Sequence, residues 1–222
     1  MINKSQRRAS AIERLRALPP VFRGSDLSLR FGWSTHEAGE YLRRWKQRDL
    51  VKPTGPRAGV YFNLISETSA PETHFEEAIA SLFPSAVVVG ASVLHGAGWI
   101  TQIPRQLDVG VLRRRSFPAV KGVVLHPRSI LWYRLVHSRL ERTEDQGVPR
   151  LDPAFALADA LKYRDGWAPE PDDVELPQAE DAQRFLRACK TLRVALDPEW
   201  LKTIRLASPD SGRIREQLRK LR

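Results

Sequence analysis

Between residues 34 and 57 the chain carries polar and cationic side chains at spacings suited to contact with a polyanion. Ala38, Tyr41, Leu42 and Trp45 recur at i, i+3, i+4 and i+7, the apolar stripe of an amphipathic helix. With that stripe turned inward, Thr35, His36, Gly39, Glu40, Arg43, Arg44, Lys46 and Gln47 face outward. An α-helix fits the ~12 Å major groove of duplex DNA, and its first turns point at base edges. Ser34, Thr35, His36 and Glu40 lie early, where such contacts are made. Arg43, Arg44, Lys46 and Gln47 lie later, where a helix meets the phosphate backbone or the groove floor. Lys52 and Arg57, just beyond the helix, could reach adjacent phosphates. Gly39 costs a helix roughly 1 kcal/mol against alanine, which a close approach to DNA or to a neighbouring helix would explain. Glu40 suits either a cytosine amine or an ion pair with Arg43 or Arg44. Any surface helix carries charge opposite its apolar stripe, so DNA contact, protein docking and a purely structural role all remain open.

The elements that must position these residues can be read on either side. Ile12, Leu15 and Leu18 follow helical spacing, and Pro19-Pro20 ends that helix because proline lacks the amide donor. Ser25 is expected to cap a short second helix that buries Leu27 and Phe31, with Gly32 as its stop. Ser34-Thr35-His36-Glu37 fits a capping box at the start of the third helix. Leu50-Val51-Lys52 and Val60-Tyr61-Phe62 read as strands around the turn-rich Pro53-Thr54-Gly55-Pro56-Arg57-Ala58-Gly59, a hairpin. Short helix, tight turn, longer capped helix and basic-tipped hairpin, in that order, describe a winged helix-turn-helix.

Residues 66–73, Ser66 to Thr73, have linker composition, so the first domain is expected over 1–65 and the second over 74–222. The second mixes a helical pattern with apolar strand runs at Ala86–Val89, Leu107–Leu112 and Val123–His126. It then reads as helical apart from the segment Trp167 to Pro177. The expected fold class is α+β, a winged helix-turn-helix domain followed by a mixed α/β domain ending in a helical C-terminal region.

Composition narrows the partners. Lys plus Arg number 36 against 26 Asp plus Glu, a formal charge of +10 over 222 residues. Residues 1–70 hold 13 basic and 6 acidic side chains, residues 71–150 hold 10 and 7, and residues 151–222 are balanced at 13 each. A cationic end concentrates polyanions, because each phosphate contact releases condensed counterions. Charge thus favours a nucleic-acid partner without proving one. The longest apolar run, Ala86 to Leu94, stops at His95, well short of the ~18–20 residues that cross a bilayer. The single cysteine, Cys189, excludes an internal disulfide framework and a thiolate zinc cluster. A cytoplasmic protein without membrane attachment is the corresponding expectation.

Catalytic patterns fail one after another. His95-Gly96-Ala97-Gly98-Trp99 echoes an esterase oxyanion loop, but no Gly-x-Ser-x-Gly elbow follows it. None of the eight lysines has an acidic residue two positions before it, as a metal nuclease of the (Asp/Glu)-x-Lys type needs. Asp172, Asp173 and Glu175 could gather a hard cation, yet they sit among prolines and read better as a solvated loop. The five histidines show no pair at ligand spacing, and there is no glycine-rich phosphate loop. No enzyme, metal site or cofactor is expected. Arg113-Arg114-Arg115 suits either an extension of a DNA-binding surface or an exposed turn. Arg213, Arg215, Arg219, Lys220 and Arg222, with Ile214, Leu218 and Leu221, could form a basic amphipathic helix at the end of the chain.

The middle of the chain narrows the reading further. Ala91-Ser92-Val93-Leu94-His95-Gly96-Ala97-Gly98-Trp99-Ile100, after such an N-terminal unit, resembles a helix of the AbiEi-type antitoxins, transcriptional regulators of type IV toxin–antitoxin systems. The strand at Leu107 to Leu112, the basic triplet, the strand at Gly122 to Pro127, and Val148-Pro149-Arg150 leading into Ala154–Ala160 follow the same order over roughly residues 10–165. The chain departs from the plainer forms of that family in the Trp167–Pro177 segment and the basic tail. The resemblance implies a repressor of its own operon, binding double-stranded operator DNA and encoded beside a nucleotidyltransferase-like toxin, without a tight toxin complex. Winged-helix regulators commonly bind inverted repeats as dimers, which makes a dimer on DNA the matching expectation, although no heptad is visible. Two rivals stand beside it: a general basic protein of RNA or the nucleoid and, further off, a nucleic-acid-processing enzyme.

Overall fold

The computed structural model describes residues 10–66, 74–141, 147–165, 167–196 and 205–206. The protein is a mixed α+β structure that divides into two compact units. The first comprises residues 1–84 together with 115–121; the second comprises 85–114 and 122–222.

The first unit begins with α1 (Ala11–Arg16), whose Ser10 and Glu13 cap each other reciprocally. Pro19 and Pro20 cannot donate to the last carbonyls of that helix. The buried Asn63 does so instead: its Nδ2 donates to the carbonyls of Leu15 at 2.8 Å and Leu18 at 3.3 Å. A strand that the sequence pattern did not reveal follows, β1 (Val21–Arg23). Then come α2 (Gly24–Phe31), α3 (Thr35–Gln47), β2 (Val51–Pro53) and β3 (Val60–Asn63). The expected cap at Ser25 is displaced. The helix already starts at Gly24, and Asp26 accepts the Arg23 amide at 2.7 Å. Gly32 closes α2 in the left-handed conformation, φ 67°, which glycine adopts without a Cβ penalty.

The three strands pair antiparallel in the order β1-β3-β2, with Val21 opposite Phe62 and Val51 opposite Asn63. Alternation along them decides the packing. Phe22 and Val51 join Leu15, Leu18, Leu27, Ala38, Leu42 and Trp45 in one core. Val21, Val60 and Phe62 point the other way and are covered by Ala78, Phe75 and Leu82 of α4 (Phe75–Leu82). The sheet is therefore apolar on both faces and needs a helix on each. That requirement places α4 in the first unit, whereas the sequence expectation ended the first domain at residue 65 and assigned 74 onward to the second. Residues 67–73, most of the expected linker, lie outside the described residues.

The second unit is built on a five-stranded mixed sheet in the order β6-β5-β4-β8-β7. Its strands are β4 (Val87–Val88), β5 (Leu107–Leu112), β6 (Val123–Arg128), β7 (Leu140–Glu141) and β8 (Arg150–Leu151). β5 and β6 run parallel and β4 and β5 antiparallel. Pro127 is accommodated because β6 lies at the sheet edge. The helices are α5 (Gly90–Gly96), α6 (Ile130–Val136), α7 (Pro153–Tyr163) and α8 (Ala179–Leu192). α7 is capped by Asp152, which accepts from the Ala154 amide at 2.9 Å, and is buried along Ala154 to Leu161. Burial on all sides explains its run of apolar residues, which only Asp159 interrupts between Ala154 and Leu161. α8 is amphipathic and buries Ala182, Phe185, Ala188, Cys189 and Leu192. A final two-residue pair joins β9 (Glu175–Leu176) to β10 (Arg205–Leu206) in parallel. The basic C-terminal tail lies outside the described residues. No helix among the described residues is long and apolar enough to cross a membrane.

Candidate nucleic-acid interface

α3 is held at its N-terminus and along one side. Ser34 Oγ accepts the Glu37 amide at 3.2 Å, and the Glu37 carboxylate accepts the Ser34 amide at 2.9 Å, so the expected capping box is formed. Ala38, Leu42 and Trp45 are buried, and Tyr41 is half-buried. Fixing a buried side chain of this size is worth roughly 1.5–3 kcal/mol of apolar transfer, which sets the rotation of the helix. The opposite side presents Ser34, Thr35, His36, Gly39, Arg43, Arg44, Lys46 and Gln47, all exposed. Glu40 is partly exposed and pairs with Arg43, Oε2 to Nη2 at 2.9 Å. The hydrogen bond from Arg43, and then its charge, hold the Glu40 carboxyl below the usual range, while Glu40 holds Arg43 above its own. Of the partners open to Glu40 from the sequence, Arg43 is the one the structure gives it. Nothing approaches Gly39 within the reach of a Cβ, so packing against α2 does not account for this glycine.

An aromatic group that the sequence reading did not single out buttresses the turn between α2 and α3. Trp33 stacks on Tyr41 with ring centroids 4.0 Å apart and tilts against Trp45 at 6.1 Å. The buried Arg14 lays its guanidinium 4.9 Å from the Tyr41 ring and 5.3 Å from Trp33. Arg44 approaches Tyr41 at 6.0 Å. Trp33 lies in the turn itself, outside the periodic stripe, so helical spacing gave no signal for it.

The hairpin brings two further cations to the same unit. Lys52 in β2 and Arg57 in the loop are exposed. The loop is closed by Thr54, whose amide and hydroxyl both donate to the Val60 carbonyl at 3.1 Å. Within it the Ala58 amide donates to Gly55 at 3.3 Å, and Arg57 sits at φ 57°. A long side chain in the left-handed region is uncommon, and this one stands at the loop tip. Of the residues proposed from the sequence for nucleic-acid contact, Thr35, His36, Glu40, Arg43, Arg44, Lys46 and Gln47 lie on α3, Ser34 caps it, and Lys52 and Arg57 lie on the hairpin of the first unit. Arg113, Arg114 and Arg115 are exposed as well.

The second unit also buries a cluster of charged side chains. β6 alternation places His126 and Arg128 on one face, both buried. Arg128 Nη2 donates to Asp159 Oδ2 at 2.7 Å and its Nη1 to Asp165 Oδ2 at 2.6 Å. Trp132 Nε1 donates to Asp159 Oδ1 at 2.6 Å, and the Tyr163 ring lies 3.9 Å from the guanidinium. His126 Nε2 stands 2.8 Å from Asp108 Oδ1 and its Nδ1 3.3 Å from Asp165 Oδ1. Burial pushes the Asp159 carboxyl up against the pull of Arg128 and Trp132. These groups tie β5, β6, α6 and the end of α7 together; the Arg128 and Trp132 donors are spent on Asp159 and Asp165, whereas His126 Nδ1 is buried without a hydrogen bond among the described residues. Asp172, Asp173 and Glu175 are exposed, and no group of three metal-ligating side chains occurs among the described residues. No protein-family model matches this chain, and no curated protein matches it.

Proposed function

We propose that the chain is a sequence-specific DNA-binding transcription regulator whose first unit is a winged helix-turn-helix. α2 and α3 form the helix-turn-helix, Gly32 and Trp33 the turn, and the β2–β3 hairpin the wing. The observation that carries this reading is the outward face of α3: its apolar stripe is buried, while Thr35, His36, Arg43, Arg44, Lys46 and Gln47 stand exposed on a rigidly capped rod. A rod of this kind enters the major groove, early residues toward base edges and later cations toward phosphates. Glu40 fixes the Arg43 fork, which lowers the entropy lost when that guanidinium meets a guanine or a phosphate. Lys52 and Arg57 meet the flanking backbone.

The resemblance to AbiEi-type antitoxins supports a narrower form of the same reading: a cytoplasmic repressor that binds its own operator as a dimer and opposes a nucleotidyltransferase-like toxin. The second unit then serves the antitoxin role. A nucleotidyltransferase-like product encoded immediately downstream is the expected genomic neighbour, and its absence counts against the antitoxin part.

The direct test is retention of DNA from upstream of its own reading frame against a scrambled duplex of equal length. Binding should favour the former and weaken steeply with salt, by about 0.9 in log–log slope per phosphate neutralised. Arg43→Ala with Arg44→Ala should abolish retention with Tm nearly unchanged, since an exposed ion pair contributes little to stability. Equal affinity for all duplexes, a preference for RNA, or native affinity in the double variant overturns the proposal.

A further inference from the structure

Residues 115–121 lie in sequence between β5 and β6, yet they belong to the first compact unit. Their anchorage there is specific. Phe117 meets Phe83 edge-on with ring centroids 6.2 Å apart, and Val120 is buried. Between these two anchors the Ala119 carbonyl approaches the backbone of Gly55 in the hairpin loop so closely that a Cβ on Gly55 would collide with it. The segment is thus seated on the loop that carries Arg57. Arg115 and Lys121, at its two ends, are exposed. No carboxylate among the described residues pairs with either. The surrounding sequence offers none nearby: no acidic residue occurs between Asp108 and Glu141, and none between Asp49 and Glu67 on the hairpin side.

Two exposed cations with no carboxylate partner among the described residues, beside a hairpin loop that carries no acidic residue and presents Lys52 and Arg57, make a surface complementary to a polyanion. We propose that the 115–121 segment is a second strut of the DNA-binding face, with Arg115 and Lys121 holding backbone phosphates of the duplex beside the groove that α3 enters. This rests on the reading of α3 and the hairpin as a DNA-binding unit and extends it to a stretch of sequence some sixty residues further along the chain. The contacts are to phosphate rather than to bases. Among the described residues neither side chain is oriented by a buttressing carboxylate as Arg43 is by Glu40, and an unconstrained cation acts as a charge that positions without reading sequence.

The test uses the full chain, the duplex from upstream of its own reading frame and a scrambled duplex, titrated over a range of salt concentrations. Arg115→Ala with Lys121→Ala should weaken both duplexes by the same factor and reduce the magnitude of the log–log salt slope by about 1.8, two phosphates at ~0.9 each. The preference for one duplex over the other should not change. Arg115→Lys with Lys121→Arg should keep the wild-type slope, and Arg115→Gln with Lys121→Gln reproduces the loss should the alanine variant lose its melting transition. An unchanged affinity and slope overturns the strut while leaving α3 in place. A changed preference between the duplexes overturns the phosphate role. If the wild-type chain retains neither duplex, the reading of α3 falls and the strut falls with it. Loss in the Arg43/Arg44 variant, beside an unaltered Arg115/Lys121 variant, tells the two failures apart.

Discussion

The backbone of Gly55 and the carbonyl of Ala119, sixty-four positions apart in the chain, touch where any side chain on residue 55 would have to begin. Gly55 is absent from the residues with left-handed φ, so its identity is set by space rather than by backbone conformation. Gly55→Ala should therefore force the loop and the 115–121 segment apart, at a cost of about 1–3 kcal/mol, the range for an added methyl in a packed site. The urea midpoint should fall at constant m-value. An unchanged midpoint would show that the contact gives way freely.

Arg57 occupies the left-handed region at φ 57° while exposed at the tip of its loop. A non-glycine residue there carries strain of roughly 1–2 kcal/mol. Arg57→Gly should relieve part of it and raise Tm by about 2–4 °C in a chain of this size. The same change should weaken DNA retention. A variant that gains stability and keeps full binding would remove Arg57 from the interface.

Arg128 and Asp159 form a buried ion pair, each with a side chain 2% exposed. Removing one partner leaves the other charged and desolvated, so Arg128→Met should cost about 3–5 kcal/mol. Replacing both, as Arg128→Met with Asp159→Leu, should recover part of that loss, because the two buried charges leave together while Asp165 and the buried Trp132 Nε1 lose their partners. A double variant as unstable as the single one contradicts this account, as read by chemical denaturation.

His126 lies between Asp108 and Asp165, with Arg128 on the same strand. Burial opposes its protonation, but the hydrogen bond and charge of Asp108, reinforced by Asp165, outweigh burial and the repulsion of Arg128. Its pKa is raised in the folded state. The stability it contributes is then fully present below the unfolded value of about 6.5 and is lost as pH rises through the folded value. Asp165 behaves oppositely: despite partial burial, Arg128 holds its carboxyl low, so its contribution is present above about pH 3.9 and disappears as pH falls through the lowered folded value. The difference in unfolding free energy between wild type and His126→Gln should narrow as pH is raised above about 6.5. A difference independent of pH would place the stabilisation elsewhere.

Local interactions were legible in the chain, and distant ones were not. The capping box at Ser34 and Glu37, the stripe Ala38–Leu42–Trp45, the stop at Gly32 and the strand Leu107–Leu112 all depend on residues a few positions apart, where period and side-chain chemistry are visible directly. The placement of Thr35, His36, Arg43, Arg44, Lys46 and Gln47 on one exposed face followed from that period alone. β1 escaped notice because three residues carry no pattern of their own; pairing with Val60–Phe62 makes them a strand. The misplaced Ser25 cap reflects a competition that Asp26 wins through one backbone amide.

What only the tertiary structure decided is which far-separated segments share a core or a charge. The sheet β1-β3-β2 has two apolar faces, so it recruits α4, and the same unit takes in residues 115–121. Arg128 finds Asp159 and Asp165 across more than thirty positions. The physical reason is common to these cases. Burial and ion pairing act through space with little regard for sequence separation, whereas periodicity and capping act within one or two turns of chain. A single sequence therefore displays its helices and their exposed faces, and leaves to folding the choice of what those faces lie beside.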